Sequence, residues 1–336
     1  MSKFLSCCIS RRTFFSASLA VAFAATAALP ATAVAAENNY PKDRPITLVV
    51  GYPPGGGVDS VTRLLARQLE QSLGQTVVVE NRPGAGSIIG TNTVTRAKPD
   101  GYTLLVADPA LIINPSLMKS VSYVYERDLV PVSMITKSPL ALAVPVSSPV
   151  KTLADLIQAG KDGSKSLNFA SAGLGTTPHM AGELLKLQTS SNFTHIPYKG
   201  SGPAMTDLIS GQVDFAFATL PATTQYLSQE RLRGLAVTSA ERSKFLPKIP
   251  TVAETLPGFD VYFWTGLFAP AGTPAPILET LNAAVKKALE SDTMKSSLDR
   301  TGETGSYMSL ADTKQFVNDE SVMWAKVIKD GKIKVD

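Results

Sequence analysis

A short strand that runs into glycines and then into an amphipathic helix is the feature that most narrows the fold. Residues 46–50 read ITLVV, residues 51–59 read GYPPGGGVD, and the chain continues as SVTRLLARQLEQSL. In that last stretch Val61, Leu64, Leu65 and Leu69 share one helical face, with Arg63, Arg67 and Glu70 on the other. The unit recurs: TVVVENR leads through PGAGS into IIGTNTVTRA, LNFASA through GLGTT into PHMAGELLKLQ, and FTHIPY through KGSG into PAMTDLISG. YTLLVAD, LVPVSMI, LALAVPV, VDFAFAT and LRGLAVT read as further strands, and residues 153–160 as a helix. Strands alternating with helices predict an α/β fold with mostly parallel sheets. Pro178 and Pro203 are expected at the first helical residue, capped by Thr177 and Gly202. The C-terminal third departs from the unit, with helical patterns over about residues 275–290, 292–300 and 310–329.

The glycine loops set the chemistry. A Walker loop ends in Gly-Lys-Ser/Thr, and no lysine is present in PPGGGVDS. A dinucleotide fingerprint would use Gly55 and Gly57, but Ser60 occupies its third glycine position. What remains is backbone: consecutive glycines before a helix can form a concave nest of N–H donors, and the helix amino end adds positive potential, so an anion fits without a basic side chain. GLGTT repeats the arrangement with the hydroxyls of Thr176 and Thr177, and RPGAGS and KGSG are weaker copies. Each loop alone could be a tight turn; four of one pattern, at the carboxyl ends of strands, can converge on one cleft. Asp59 is either a helix cap or a group that holds an ammonium, a hydroxyl or a water. Tyr52 and Tyr198 end strands beside such loops and could wall the cleft; Trp264 and, less so, Phe263, at the expected crossing, could close over a ligand.

Charge and cysteine usage exclude other classes. The first 36 residues combine a basic start, an apolar run and ATAVAA, which is expected to be a secretory signal peptide cleaved after about Ala36. SRRTFF at residues 10–15 resembles a twin-arginine signal. Cys7 and Cys8 both fall in this leader, so the mature chain would have no disulfide, thiol nucleophile or thiolate metal site. Of 32 basic and 28 acidic residues, the leader holds Lys3, Arg11 and Arg12 and no acid, leaving 29 against 28. A near-neutral chain carries no electrostatic footprint for nucleic acid or membrane. His179 and His195 are its only histidines; His179 lies four residues before Glu183, with no third metal ligand in view, and His195 reads as structural. No nucleophile elbow or zinc-protease motif is present.

The chain is expected to cross to a second lobe near residues 134–144 and to return over residues 261–274. That gives a first lobe of residues 37–139 and 258–336, a second of 140–257, and a hinge between them.

The ordered motifs YPPGGGVDSVTRLLA, GQTVVVENRPGAGSIIGT, KPDGYTLL, NPSL, ASAGLGTTPHMAGELL, HIPYKGSGPAMTDLISGQVDFAF, LRGLAVTSAERS and PTVAE resemble the Bug/TctC group, the extracytoplasmic solute receptors of tripartite tricarboxylate transporters. The resemblance implies a type II periplasmic-binding-protein fold, a two-lobed monomer with a hinge. It implies a small carboxylated ligand passed to a membrane permease, no cofactor, metal or nucleic acid, and no catalysis. It carries ligand contact onto Tyr52, Pro54, Gly56 and Asp59 of the first loop and onto Gly173, Gly175, Thr176, Thr177 and His179 of the second. Departures from the family pattern are Ser87 in place of a glycine, Ala218 where Asp or Asn is frequent, and Asp108 in the variable loop ADPALIINP. Ala218 is expected to favour an apolar or aromatic distal group. A sensor subunit and an enzyme acting on a carboxylated substrate, using His179 or Asp59, remain alternative outputs. The ligand stays open among di- and tricarboxylates, aromatic acids, acidic amino acids and neutral amides.

Overall fold

The computed structural model describes residues 39–163 and 166–334; the expected signal peptide, its twin arginines and both cysteines lie outside them. In chain order the elements are β1 (Ile46–Val50), α1 (Gly57–Leu73), β2 (Val77–Asn81), α2 (Ile88–Thr95), β3 (Thr103–Ala107), α3 (Ala110–Leu117), α4 (Tyr125–Asp128) and β4 (Leu129–Pro145). Then follow α5 (Leu153–Lys161), β5 (Leu167–Ser171), α6 (Thr177–Thr189), β6 (Phe193–Pro197), α7 (Ser201–Ser210), β7 (Phe215–Thr219), α8 (Leu220–Ser228) and β8 (Leu232–Val237). The chain ends with β9 (Tyr262–Pro270), α9 (Ala275–Glu290), α10 (Asp292–Thr301), β10 (Thr304–Gly305) and α11 (Leu310–Asp330).

The strands run β2-β1-β3-β9-β4-β7-β5-β6, with β8 and β10 added to β4. Parallel pairs occupy the flanks, β2-β1-β3 on one side and β7-β5-β6 on the other. The centre is antiparallel, so the sheet is mixed where mostly parallel pairing was expected. β9 comes back between β3 and β4 and meets both head to tail, and β4 runs on to meet β7 and β8 head to tail as well.

LVPVSMI and LALAVPV, read as two strands, are one. β4 pairs with β9 as far as Pro139 and with β7 from Leu140. The change of partner falls at a proline, which has no N–H to give to a central ladder. Residues 107–115, read as a loop, contain most of α3, and α8 was likewise not anticipated. The run Leu111-Ile112-Ile113 is buried on all sides, so it has no polar face to betray a helical period.

Each β1 residue faces opposite to its neighbour. Leu48 and Val50 pack with Val61, Leu65 and Leu69 of α1 and Leu281 and Val285 of α9, while Val49 packs with the cluster that holds Leu111 of α3 and Trp324 of α11. Helices therefore cover both faces, and the glycine loops at the strand ends are left to form the site. α2 comes so close to the end of β1 that a β-carbon on Gly90 would lie 2.8 Å from Gly51 Cα.

Candidate functional site

Three helices, α1, α7 and α8, begin at one cavity of about 480 Å³. Gly55, Gly56, Gly57 and Ser60 line it from the first loop; Ser201, Gly202 and Met205 from α7; Thr219, Pro221, Ala222, Gln225 and Tyr226 from the α8 side. Thr301 and Glu303, at the end of α10 and just beyond it, complete the wall. The caps of the three helices, Gly56, Gly200 and Thr219, make no side-chain capping bond. First-turn amides are thus without side-chain acceptors, and helix amino ends carry partial positive charge. No lysine, arginine or histidine is among the lining residues. Gly55 holds φ +89°, a conformation that disfavours any residue with a β-carbon.

Beneath the first loop, Asp59 is buried, and its carboxylate accepts from Gly55 N–H at 2.9 Å, Arg63 Nε at 2.9 Å and Asn81 Nδ2 at 2.8 Å. Burial alone would raise its pKa, but these donors outweigh it and hold the group below the usual carboxylate range. Asp59 sits in the first turn of α1, whose N-cap is Gly56, so it is not the cap itself; it braces the loop and has its acceptor sites filled by the chain. Tyr52 Oη donates to both oxygens of Asp108, at 2.8 and 3.0 Å, and Ala110 N–H adds a third bond. Burial pushes Asp108 up to about 6 against the pull of the tyrosine, and burial with the adjacent carboxyl pushes Tyr52 well above its ordinary value. This pair anchors the ends of β1 and β3 to one another.

The second loop is ordered from within. Thr176 Oγ1 donates to Gly173 O at 2.7 Å, and Gly175 N–H donates to His179 Nδ1 at 3.2 Å. His179 stacks on His195 with ring centroids 3.9 Å apart, and His195 Nε2 lies 2.6 Å from Ser171 Oγ. Burial first, then Lys186, lowers His179 to about 4; burial, His179 and Lys186 lower His195 to about 3. Both rings are neutral at pH 7, and Nδ1 of His179 acts as the acceptor for the loop. α6 starts at Thr177 with Thr176 as its cap, one residue earlier than expected, and α7 starts at Ser201 with Gly200 as its cap. Thr177 Oγ1 is buried and has no protein partner, as are Thr91 Oγ1 and Asn114 Oδ1 among the described residues.

Asn114, not singled out from the sequence, joins the two loop systems. Its Nδ2 donates to Gly86 O at 2.7 Å, and a β-carbon on Gly175 would overlap its Oδ1. The second loop also bonds sideways, Gly200 N–H to Ala172 O at 3.0 Å, and so connects to the cavity wall at Ser201.

The remaining expected site residues are placed as follows. Pro54 is exposed beside Gly55 and Gly56. Ser87 is buried in a left-handed conformation at the cap of α2, where a β-carbon on Gly51 would overlap its Oγ. Tyr198 donates to Asp207 at 2.7 Å and is half-buried. Ala218 is corrected from a cleft residue to a core one: it packs with Ala143, Met205 and Leu232, while Thr219, next in a strand whose side chains alternate, reaches the cavity. Trp264 is likewise a core residue and no lid, fully enclosed among Phe268 and Phe316, with Nε1 donating to Glu320 at 3.3 Å. Glu303 and Thr301 were missed because no local pattern links the end of α10 to glycine loops some 250 residues earlier.

Residues 61–333 match the family model described as tripartite tricarboxylate transporter family receptor. The protein BugT of Bordetella pertussis is 39% identical over 311 residues, which cover 92% of this chain and 94% of BugT. Among solved structures, R. palustris Rpa4515 with adipate is similar at a TM-score of 0.80 and 35% identity, covering 87% of this chain and 99% of that one. MatC from Rhodopseudomonas palustris with bound malate is similar at 0.76 and 32%, covering 85% and 99%.

Proposed function

The chain belongs to the tripartite tricarboxylate transporter family of receptors, and from that membership we propose that its cavity at the starts of α1, α7 and α8 holds the carboxylate of a small organic acid. It is a two-lobed periplasmic solute-binding receptor. The observation that carries the ligand class is the convergence of three helix amino ends on one cavity without a basic side chain, an arrangement that favours an anion through backbone donors. Adipate and malate, present in two relatives, are both dicarboxylates and support this class.

The first loop, Tyr52, Pro54, Gly56 and Asp59, gives the cavity its shape, and Thr177 completes the donor set from the second loop on closure. The lobes are residues 37–139 with 258–336, and residues 140–257. The hand-over of β4 from β9 to β7 between Pro139 and Leu140 supports that division. Closure buries the acid, and the closed monomer is what a membrane permease reads. No catalytic step is assigned: His179 Nδ1 is occupied by Gly175 N–H and Asp59 by three donors, so neither is a free base.

A thermal-shift screen against mono-, di- and tricarboxylates, aromatic acids, amino acids and neutral amides tests the reading. A ligand at about 100 times its Kd adds roughly 2.7 kcal/mol, a rise of several degrees. An acid that raises the midpoint and is recovered unchanged is the expected result; a protein that responds to amides alone, or returns an altered acid, is not a carboxylate receptor.

A further inference from the structure

Glu303 is the one carboxyl among the cavity's lining residues, and it is 4% exposed. Its backbone is held on both sides: Glu303 N–H donates to Leu298 O at 3.0 Å, Gly302 O accepts from Ser138 Oγ at 3.0 Å, and the next two residues pair with Thr136 and Lys137 of β4. The backbone that carries the carboxyl is therefore fixed. Thr301 Oγ1 donates to Oε2 at 3.1 Å, and no other protein donor reaches the group among the described residues. Of the other residues lining the cavity, only Tyr226 of α8 is ionisable, and none is a cation.

A buried carboxyl with one hydrogen bond, in the wall of a cavity at which three helices begin, is half of a recognition site. An acid seated at the helix ends brings its own negative charge toward Glu303, and like charges at short range disfavour one another. An acid that also carries an O–H or N–H places a donor between the two charges and satisfies both. We propose that Glu303 is the specificity-determining residue of the cleft, accepting a hydrogen bond from a hydroxyl or ammonium on the bound acid, so that the ligand is a hydroxy- or amino-substituted carboxylate. This rests on the carboxylate-receptor reading above. It replaces the apolar distal group expected from Ala218, whose side chain lies in the core.

The test is calorimetric titration of the wild type and Glu303→Gln with matched acids: succinate, malate and aspartate; glutarate, 2-hydroxyglutarate and glutamate; benzoate, 4-hydroxybenzoate and 4-aminobenzoate. The expected result is a preference of about tenfold or more for a hydroxy or amino member over its plain acid in at least one set. Glu303→Gln should collapse that preference from both sides, weakening the substituted acid and, with the opposing charge removed, tightening the plain one. The hydroxy and amino arms tell which donor is used. A second readout guards against a folding artefact. Burial raises Glu303 to about 7, so the wild type should bind the preferred acid about tenfold more weakly at pH 6 than at pH 8, and the variant should not. Equal binding of plain and substituted acids, or a preference that survives Glu303→Gln, would each overturn the proposal. Binding of no acid at all overturns the receptor reading, and this inference with it.

Discussion

Thr177→Val should move stability and affinity in opposite directions. Thr177 is the first residue of α6, 2% exposed, and its hydroxyl has no protein partner. A buried hydroxyl without a partner costs roughly 1–3 kcal/mol in the free protein. Valine keeps the branched shape at the helix start and removes the polar atom. The ligand-free variant should therefore melt no lower than the wild type, and up to a few degrees higher at about 2–4 °C per kcal/mol. In the complex the same hydroxyl is assigned to the ligand carboxylate, where a hydrogen bond to a charged group contributes about 1.5–3 kcal/mol. Its loss weakens binding by roughly tenfold to a hundredfold. Calorimetric titration with the best acid from the screen, beside melts without ligand, reads both numbers. Thr177→Ser, which keeps the oxygen, should retain affinity within a few-fold. If valine lowers the melting point and leaves Kd unchanged, the hydroxyl is a structural group and the second loop is not part of the site.

Three further outcomes follow from the geometry. Glu303 has its pKa raised to about 7 from an ordinary 4.5, so the folded state keeps a proton that the unfolded chain has released and stability falls as pH rises from 4.5 to 7. Glu303→Gln should accordingly gain up to about 3 kcal/mol on the wild type in urea melts at pH 8 and little at pH 4; an equal gain at both pH values contradicts the buried-carboxyl account. The stacked histidines run the other way: with folded pKa values of about 4 and 3 against 6.5, their stability contribution is present above pH 6.5 and is lost as pH falls through 4. His195→Gln should flatten that acid limb, and an unchanged limb would remove the histidine pair as its cause. Gly175 has φ +73° and lies against Asn114, so Gly175→Ala should destabilise by about 1–3 kcal/mol in the same melts; a neutral result would mean that the second loop is not held against α3.

What the sequence exposes and what it hides divide along the backbone. The strand–glycine–helix units were legible because each is local: β1, its glycines and the apolar stripe of α1 follow one another within thirty residues, and the same logic located α5, α9, α10 and α11 to within a residue or two. An anion site made of amides is legible for the same reason, since glycine marks where a chain must turn its N–H groups outward. Side-chain chemistry is different. Asp59 and His179 are the polar residues that a reader of the loops would give to the ligand, yet the loops need them: a nest of glycines has little to hold its shape, and Asp59 and His179 supply the acceptors that fix Gly55 and Gly175. Thr219 and Ala218 differ by one position in a strand, which is enough to send one to the cavity and the other to the core. Glu303 reaches the cavity only because β10 pairs with the crossing strand β4, a contact between segments about 170 residues apart. In the proposed site the local sequence places the part assigned to the carboxylate, common to many acids, and the part proposed to choose among acids arrives from the returning C-terminal chain.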